Sequence, residues 1–366
     1  MPPSKKLDQI SLRGYKSIES LNRLRLSSGL NVLIGANGSG TSNFIRFFEL
    51  LRHIWDPTKG LQNYVAAHGT ADAFLFRGMK TTPAFHAKLE FGRNTYEFTL
   101  QAADDRSLFF SSESAPFAGP LHGPIVNDQG SGHRESRIAR LNGASSKSID
   151  WVREAIASWK VYHFHDTSAE APMMRACSLA DSDSLHGDAS NIAAVLMGMA
   201  ARDPVRYERI IEALRLIAPF FGGFVHKETS PGKTRLLWKD RFCDLLYDPT
   251  QLSDGTARFV CLATLLLGTP HAETILIDEP ELGLHPYAIK ILAGMLHEAA
   301  ETLQIIVSTQ SSLLLDEVDP ESVIVVDQKD GKSDLRRLSA EDLREWLEDY
   351  TLGQLWEKSE LGGVPQ

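Results

Sequence analysis

The feature that most limits how this chain can fold is the stretch Gly35-Ala36-Asn37-Gly38-Ser39-Gly40-Thr41-Ser42, set between an apolar run from Leu30 to Ile34 and a segment of helical apolar spacing. A short apolar run closed by glycine reads as a buried strand. Phe44, Phe47, Phe48, Leu51 and Ile54 recur every three or four residues after Ser42-Asn43, so the next element is a helix with one inward face. A glycine-rich turn between such a strand and such a helix lets backbone N–H groups point at phosphate oxygens, and the helix N-terminus adds a favourable dipole. The turn follows the phosphate-binding pattern GxxxxGK[ST] at every fixed position except one, where Thr41 replaces lysine. Gly35, Asn37, Gly38, Ser39, Gly40, Thr41, Ser42 and Asn43 are therefore the expected nucleotide-binding residues, with the Ser42 hydroxyl offered to Mg²⁺.

Thr41 lacks the ammonium that neutralises the β- and γ-phosphates during phosphoryl transfer. Loss of one charged contact costs about 1.5–3 kcal/mol, so weaker binding and impaired hydrolysis are expected. Thr41 is read either as native to the chain or as a change introduced to trap a state.

Further along, Thr274-Ile275-Leu276-Ile277-Asp278-Glu279-Pro280 is an apolar strand ending in adjacent carboxylates, a Walker B pattern. There Asp278 holds Mg²⁺ through water and Glu279 polarises an attacking water. Ahead of it, Leu252-Ser253-Asp254-Gly255-Thr256 opens an apolar helix and resembles the LSGGQ signature of ABC proteins. Taken alone it also reads as a plain helix cap. Behind it, Glu281-Leu282-Gly283-Leu284-His285-Pro286 resembles a D-loop, and Gln310 follows the strand Ile305–Thr309 where related heads carry a switch histidine. Glutamine donates a hydrogen bond to a γ-phosphate but carries no charge.

These motifs, in this order, resemble those of RecF-like or AAA-21-type members of the SMC/ABC ATPase group. Arg13-Gly14-Tyr15-Lys16-Ser17-Ile18 resembles the first strand and loop of that group, and Thr351-Leu352-Gly353-Gln354-Leu355-Trp356-Glu357 the tail of its small stand-alone members. The resemblance is weakest from about Thr95 to Lys147. It implies an α/β P-loop NTPase fold, an ABC-type head with a mostly parallel sheet, an antiparallel β-subdomain and a short helical lid. The expected organisation is a single head over 1–366, with lobes at 1–165, 166–248 and 249–366. It also implies ATP and Mg²⁺ as cofactors, Arg13 as a nucleotide contact, Glu279 and Gln310 as catalytic residues, and a homodimer sandwiching two ATP molecules. Each ATP would lie between one P-loop and the partner subunit's signature, here represented by Ser253, Asp254 and Gly255. The glutamine loop of the group has no clear counterpart; Tyr162-His163-Phe164-His165-Asp166-Thr167 stands in its place. His163-Phe164-His165-Asp166 also suggests a metal, yet for two histidines without further ligands hydrogen bonding is the expected role.

Period-two alternation from Phe85 to Leu100 about a Gly-Arg-Asn turn marks the antiparallel subdomain, and two helices between Ser190 and Phe221, parted at Asp203-Pro204, mark the lid. Residues 111–147, rich in Ser, Gly, Pro and Asn, read as loop or a poorly ordered insertion. No stretch reaches the ~20 apolar residues of a membrane span, and the start MPPSKKLDQI has no signal core, so a cytoplasmic protein without membrane contact is expected. Cys177, Cys243 and Cys261 are widely separated and are expected to be buried apolar residues rather than a disulfide or zinc framework. The net charge of -9 excludes a uniformly basic nucleic-acid coat. It leaves open two local clusters, Arg134, Arg137, Arg140 and Lys147, and Lys227, Lys233 and Arg235, for which solvated surface charge is the expected role. DNA and an effector or nuclease protein are the candidate partners. An in-chain nuclease domain of the Toprim type is not expected, because 56 residues follow Gln310 and that domain needs roughly a hundred. Two functional readings remain: an ATP-driven dimerisation switch in DNA repair or defence against foreign DNA, and a non-hydrolysing nucleotide sensor that scaffolds an effector.

Overall fold

A computed structural model of the chain describes residues 5–56, 58–119, 125–141, 147–268 and 272–362. It divides into two units, one made of Met1–Trp159 with Asp319–Gln366 and the other of Lys160–Val318. The lobes expected from the sequence cut the chain at different points.

In the first unit the apolar run becomes the strand Leu30–Ile34, every residue of it buried. It pairs in parallel with Val323–Lys329, which returns through Asp330-Gly331 as the antiparallel strand Lys332–Arg337. The helix Thr41–Trp55 follows the glycine turn, and its inward face is the one read from the sequence, with Phe44, Phe47, Phe48, Leu51 and Ile54 all buried. Phe48 meets Phe44, Phe47 and Trp159 at ring-centroid distances of 5.4, 6.0 and 5.0 Å. Large rings of this kind each remove about 150–250 Å² from water, which anchors the helix behind the turn.

An antiparallel sheet in the order Ile18–Arg25, Gln9–Tyr15, Ala84–Phe91, Asn94–Ala102, Leu108–Ser114 completes this unit. Ala84–Phe91 alternates half-buried and buried residues without exception, as a sheet with one covered face requires. The subdomain is thus larger than the expected hairpin. Its last strand enters the stretch read as loop, which also contains the helical turn Arg137–Arg140, and the helix Lys147–Ala157 begins where that stretch ends. The polar composition there hid a buried carboxylate: Glu113 accepts hydrogen bonds from Tyr96 Oη and the Arg137 N–H at 2.9 Å each, and lies 2.9 Å from His133 Nε2. Residues 120–124 and 142–146 of that stretch, like residues 1–4, lie outside the described residues.

The second unit holds the parallel pair Thr274–Asp278 and Gln304–Thr309, with Asp278 opposite Ser308. The helices Asp254–Leu267 and Pro286–Ala300 belong to this unit, as does the expected lid, Ile192–Arg202 and Pro204–Ile217. The lid breaks where the sequence indicated. Pro204 occupies the first turn, where its missing N–H costs nothing, and Asp203 caps it by accepting from the Arg206 N–H at 3.1 Å. Of the cysteines, only Cys261 is fully buried; Cys177 is partly exposed and Cys243 exposed. The expectation for Cys243 fails because it sits in the connection between Leu237–Asp240 and Leu246–Tyr247, where consecutive residues face solvent. No helix among the described residues is long and apolar enough to cross a membrane.

Candidate nucleotide site

In the first unit, the glycine turn is built by close approach. A Cβ on Gly35 would strike the Ser39 hydroxyl and the Val326 carbonyl oxygen, the latter at 2.6 Å. Gly40 has φ 110° and packs against the hydroxyls of Ser17 and Ser333, so both its conformation and its surroundings require glycine. Helix Thr41–Trp55 starts there with no side chain capping it and no acidic residue in its first turn. The first N–H groups of a helix have no intrahelical partner, so this start is a ready anion site.

Three residues outside the motif brace the turn. Gln328 Nε2 donates to the Gly38 carbonyl at 2.9 Å. Ser333 Oγ donates to the Ser39 carbonyl and lies 2.8 Å from Ser17 Oγ, to which Asn43 Nδ2 also donates at 2.8 Å. Ser17 belongs to the RGYKSI opening, so that opening secures the turn. Thr41 and Ser39 are buried, Ser42 and Asn43 half-buried, and Asn37 and Gly38 exposed. The Ser39 hydroxyl is buried without a partner, an unsatisfied donor that a phosphate oxygen fits. Arg13 is exposed and lines, with Glu19, Thr82 and His86, a cavity of about 470 Å³ whose described lining includes none of Gly35 to Asn43.

In the second unit, the strand Thr274–Asp278 runs buried until Asp278, which accepts from Ser308 Oγ on the paired strand. Glu279 turns the chain with φ 44°, a left-handed backbone unusual for this residue, while its N–H donates to the Ser308 carbonyl at 2.9 Å. Gln310 Nε2 donates to Glu279 Oε1, so the two expected catalytic residues form a pair. In the sequence Glu281 is legible only as the first residue of the D-loop-like segment. Its Oε1 accepts from Thr309 Oγ1 at 2.6 Å and the Gln310 N–H at 3.1 Å, and its Oε2 is buried without a partner. Burial holds its carboxyl above the ordinary carboxylate range, against the opposing pull of the Thr309 and Gln310 hydrogen bonds.

The signature is both a cap and a loop. Ser253 caps Asp254–Leu267 by accepting from the Thr256 N–H at 3.2 Å, and Ser253 and Asp254 are exposed. Gly255 is pressed against the D-loop, where a Cβ would come within 2.6 Å of the Gly283 carbonyl oxygen. Arg258, one turn on, donates to the carbonyls of Phe164 and His165 at 2.8 and 3.0 Å. It thereby ties the signature helix to the segment Tyr162–Thr167, the candidate for the glutamine loop's place. Arginines of the basic clusters are engaged with acids and carbonyls: Arg134 meets Asp105 at 2.6 Å, Arg137 donates to the Gln129 carbonyl, and Arg235 meets Asp248 at 2.7 Å.

Residues 244–316, which carry the signature, Asp278-Glu279, the D-loop and Gln310, match the AAA_21 family model, described as "AAA domain, putative AbiEii toxin, Type IV TA system". No curated protein sequence matches the chain significantly. Among solved structures, it is similar to an Smc head bound to the C-winged helix domain of ScpA, with TM-score 0.57 and 15% identity over 93% of this chain and 99% of that one. It is also similar to an Smc head domain with an extended coiled coil bound to the C-terminal domain of ScpA, derived from Pyrococcus furiosus. There the TM-score is 0.56 at 16% identity, covering 94% of this chain and 98% of that one. The fold is therefore the P-loop NTPase fold of an Smc head domain. The family match, over residues 244–316, is to the AAA_21 model.

Proposed function

We propose that this protein binds ATP at the Gly35–Asn43 turn and uses it to close a homodimer, each nucleotide meeting the partner subunit's Ser253, Asp254 and Gly255. The observation that carries this reading is the uncapped start of helix Thr41–Trp55, behind a braced glycine turn that holds an unpartnered Ser39 hydroxyl. Ser42 and, through water, Asp278 are the residues for Mg²⁺, which neutralises phosphate charge when bound; Glu279 is the base for an attacking water, oriented by Gln310. Thr41 makes hydrolysis slow, so closure outlasts that of a lysine-bearing head. The same residue favours a second reading, a nucleotide sensor without turnover that scaffolds an effector.

The nucleotide state is read out in DNA repair or in defence against foreign DNA. The match to a family described by a toxin of toxin–antitoxin systems supports the defence role. A protein effector is the favoured partner. The similar Smc heads are bound to ScpA domains, and the arginines of both basic clusters here are engaged within the chain. Sedimentation of the purified chain with and without ATP and Mg²⁺ tests the proposal. A nucleotide-dependent shift from monomer to dimer is expected, and Ser253→Arg abolishes it. A chain that binds no adenine nucleotide, or dimerises identically without it, refutes the reading.

A further inference from the structure

The fold joins two histidines to the Walker B carboxylate, more than a hundred residues further along the chain. His163, His165 and Asp278 each present a ligand atom, and all three atoms lie within 4.8 Å of one another. We propose that these residues bind one divalent transition-metal ion of the Zn²⁺, Co²⁺ or Mn²⁺ class. The proposal deepens the functional reading above, because it shares the aspartate that the reading assigns to Mg²⁺.

The donor chemistry decides the class of metal. Mg²⁺ takes hard oxygen ligands and keeps its waters, whereas two imidazoles and a carboxylate suit borderline cations that accept nitrogen. Ligand atoms about 2.1 Å from a shared ion stand at most about 4.2 Å apart, so small side-chain rotations bring the present arrangement onto a metal. Three protein ligands leave positions for water or a ligand oxygen.

The ligands are held from behind, as metal sites require. The His163 N–H donates to the Gly187 carbonyl at 2.9 Å, and Arg258 fixes the carbonyls of Phe164 and His165. Ser308 Oγ fixes one oxygen of Asp278, leaving the other for an ion. His165 is exposed while His163 and Asp278 are half-buried, which gives the ion a path in from solvent.

The test uses the full chain, stripped with a chelator and free of nucleotide. Co²⁺ is titrated by its visible absorption, and Zn²⁺ by calorimetry with Mg²⁺ in large excess. One ion per chain is expected, undisplaced by Mg²⁺. His163→Ala, His165→Ala and Asp278→Asn should each weaken it by at least about 10–100-fold, the loss that even an outer partner of a metal ligand produces. Far-UV circular dichroism checks that each variant is folded, and His165→Gln at the exposed position serves as the second variant. Absence of a bound ion, affinity unchanged in the folded histidine variants, or a thiolate charge-transfer band showing cysteine ligation overturns the proposal. Binding of ATP with Mg²⁺ is measured separately. A chain that takes Zn²⁺ but no ATP retains this site and loses the proposed function, and one that takes ATP but no Zn²⁺ does the reverse.

Discussion

Replacing Thr41 with lysine returns to the glycine turn the ammonium that its pattern otherwise lacks, and the structure bounds the effect. Thr41 is 9% exposed at the first position of its helix, so the lysine stem starts from a buried site. Its tip has room, because Asn37 and Gly38 are exposed and a Cβ on Gly38 meets nothing within 4 Å. A unit charge about 4 Å from a phosphate charge gains about 4 kcal/mol at an effective dielectric constant of 20. Ordering the long side chain takes back up to about 2 kcal/mol, leaving a net gain of about 1.5–3 kcal/mol, as for other charged hydrogen bonds. That corresponds to ATP affinity about 10–150-fold tighter in Thr41→Lys. Calorimetric titration of ATP with Mg²⁺ measures the affinity, and phosphate release under the same conditions measures turnover. Tighter binding together with turnover that appears only with lysine marks a disabled ATPase. Equal affinity in the two chains, or equal turnover, refutes the account of Thr41.

Ser333→Ala removes the hydroxyl that holds the buried Ser39 carbonyl, so stability falls by about 1–3 kcal/mol and ATP affinity falls with it; thermal melts and ATP titration read both. Glu279→Gln, measured in the Thr41→Lys background, should keep ATP binding and lower phosphate release by about 10²–10⁴-fold. Gly255→Ala drives a Cβ into the Gly283 carbonyl and should cost about 1–3 kcal/mol in denaturant unfolding, with loss of ATP-dependent dimerisation. Glu281→Gln tests the buried carboxyl. Its pKa is raised in the folded chain, so above the ordinary 4.5 the unfolded chain gives up the proton first and wild-type stability declines as pH rises through the folded value. The E281Q variant has no such decline, so relative to wild type its melting temperature should rise between pH 4.5 and the folded value and hold a constant difference above it.

Much of the fold and half of the site were legible along the chain. The glycine turn, the apolar strand that ends at Asp278, the inward face of the Thr41–Trp55 helix and the break at Asp203-Pro204 all arise from neighbours within a few residues. Backbone geometry and side-chain periodicity act over that range, so residue order predicts them. The strand Leu108–Ser114 is not legible in residue order because its buried polar residue, Glu113, is satisfied by Tyr96, His133 and Ser136 from other segments, a cue absent from local composition.

The brace of the turn and the meeting of ligands belong to a different range. Ser17 and Ser333 stand 316 residues apart and touch because the turn after Gln9–Tyr15 and the strand Lys332–Arg337 share one unit. His163 and His165 lacked a third ligand until the chain brought Asp278 beside them, and Glu281 became a buried carboxyl only because Thr309 and Gln310 closed over it. Residue order sets which short segments become strand, turn or helix, and therefore where the glycine turn forms. Sheet register and burial select which distant side chains converge, because those depend on packing that no short segment carries alone.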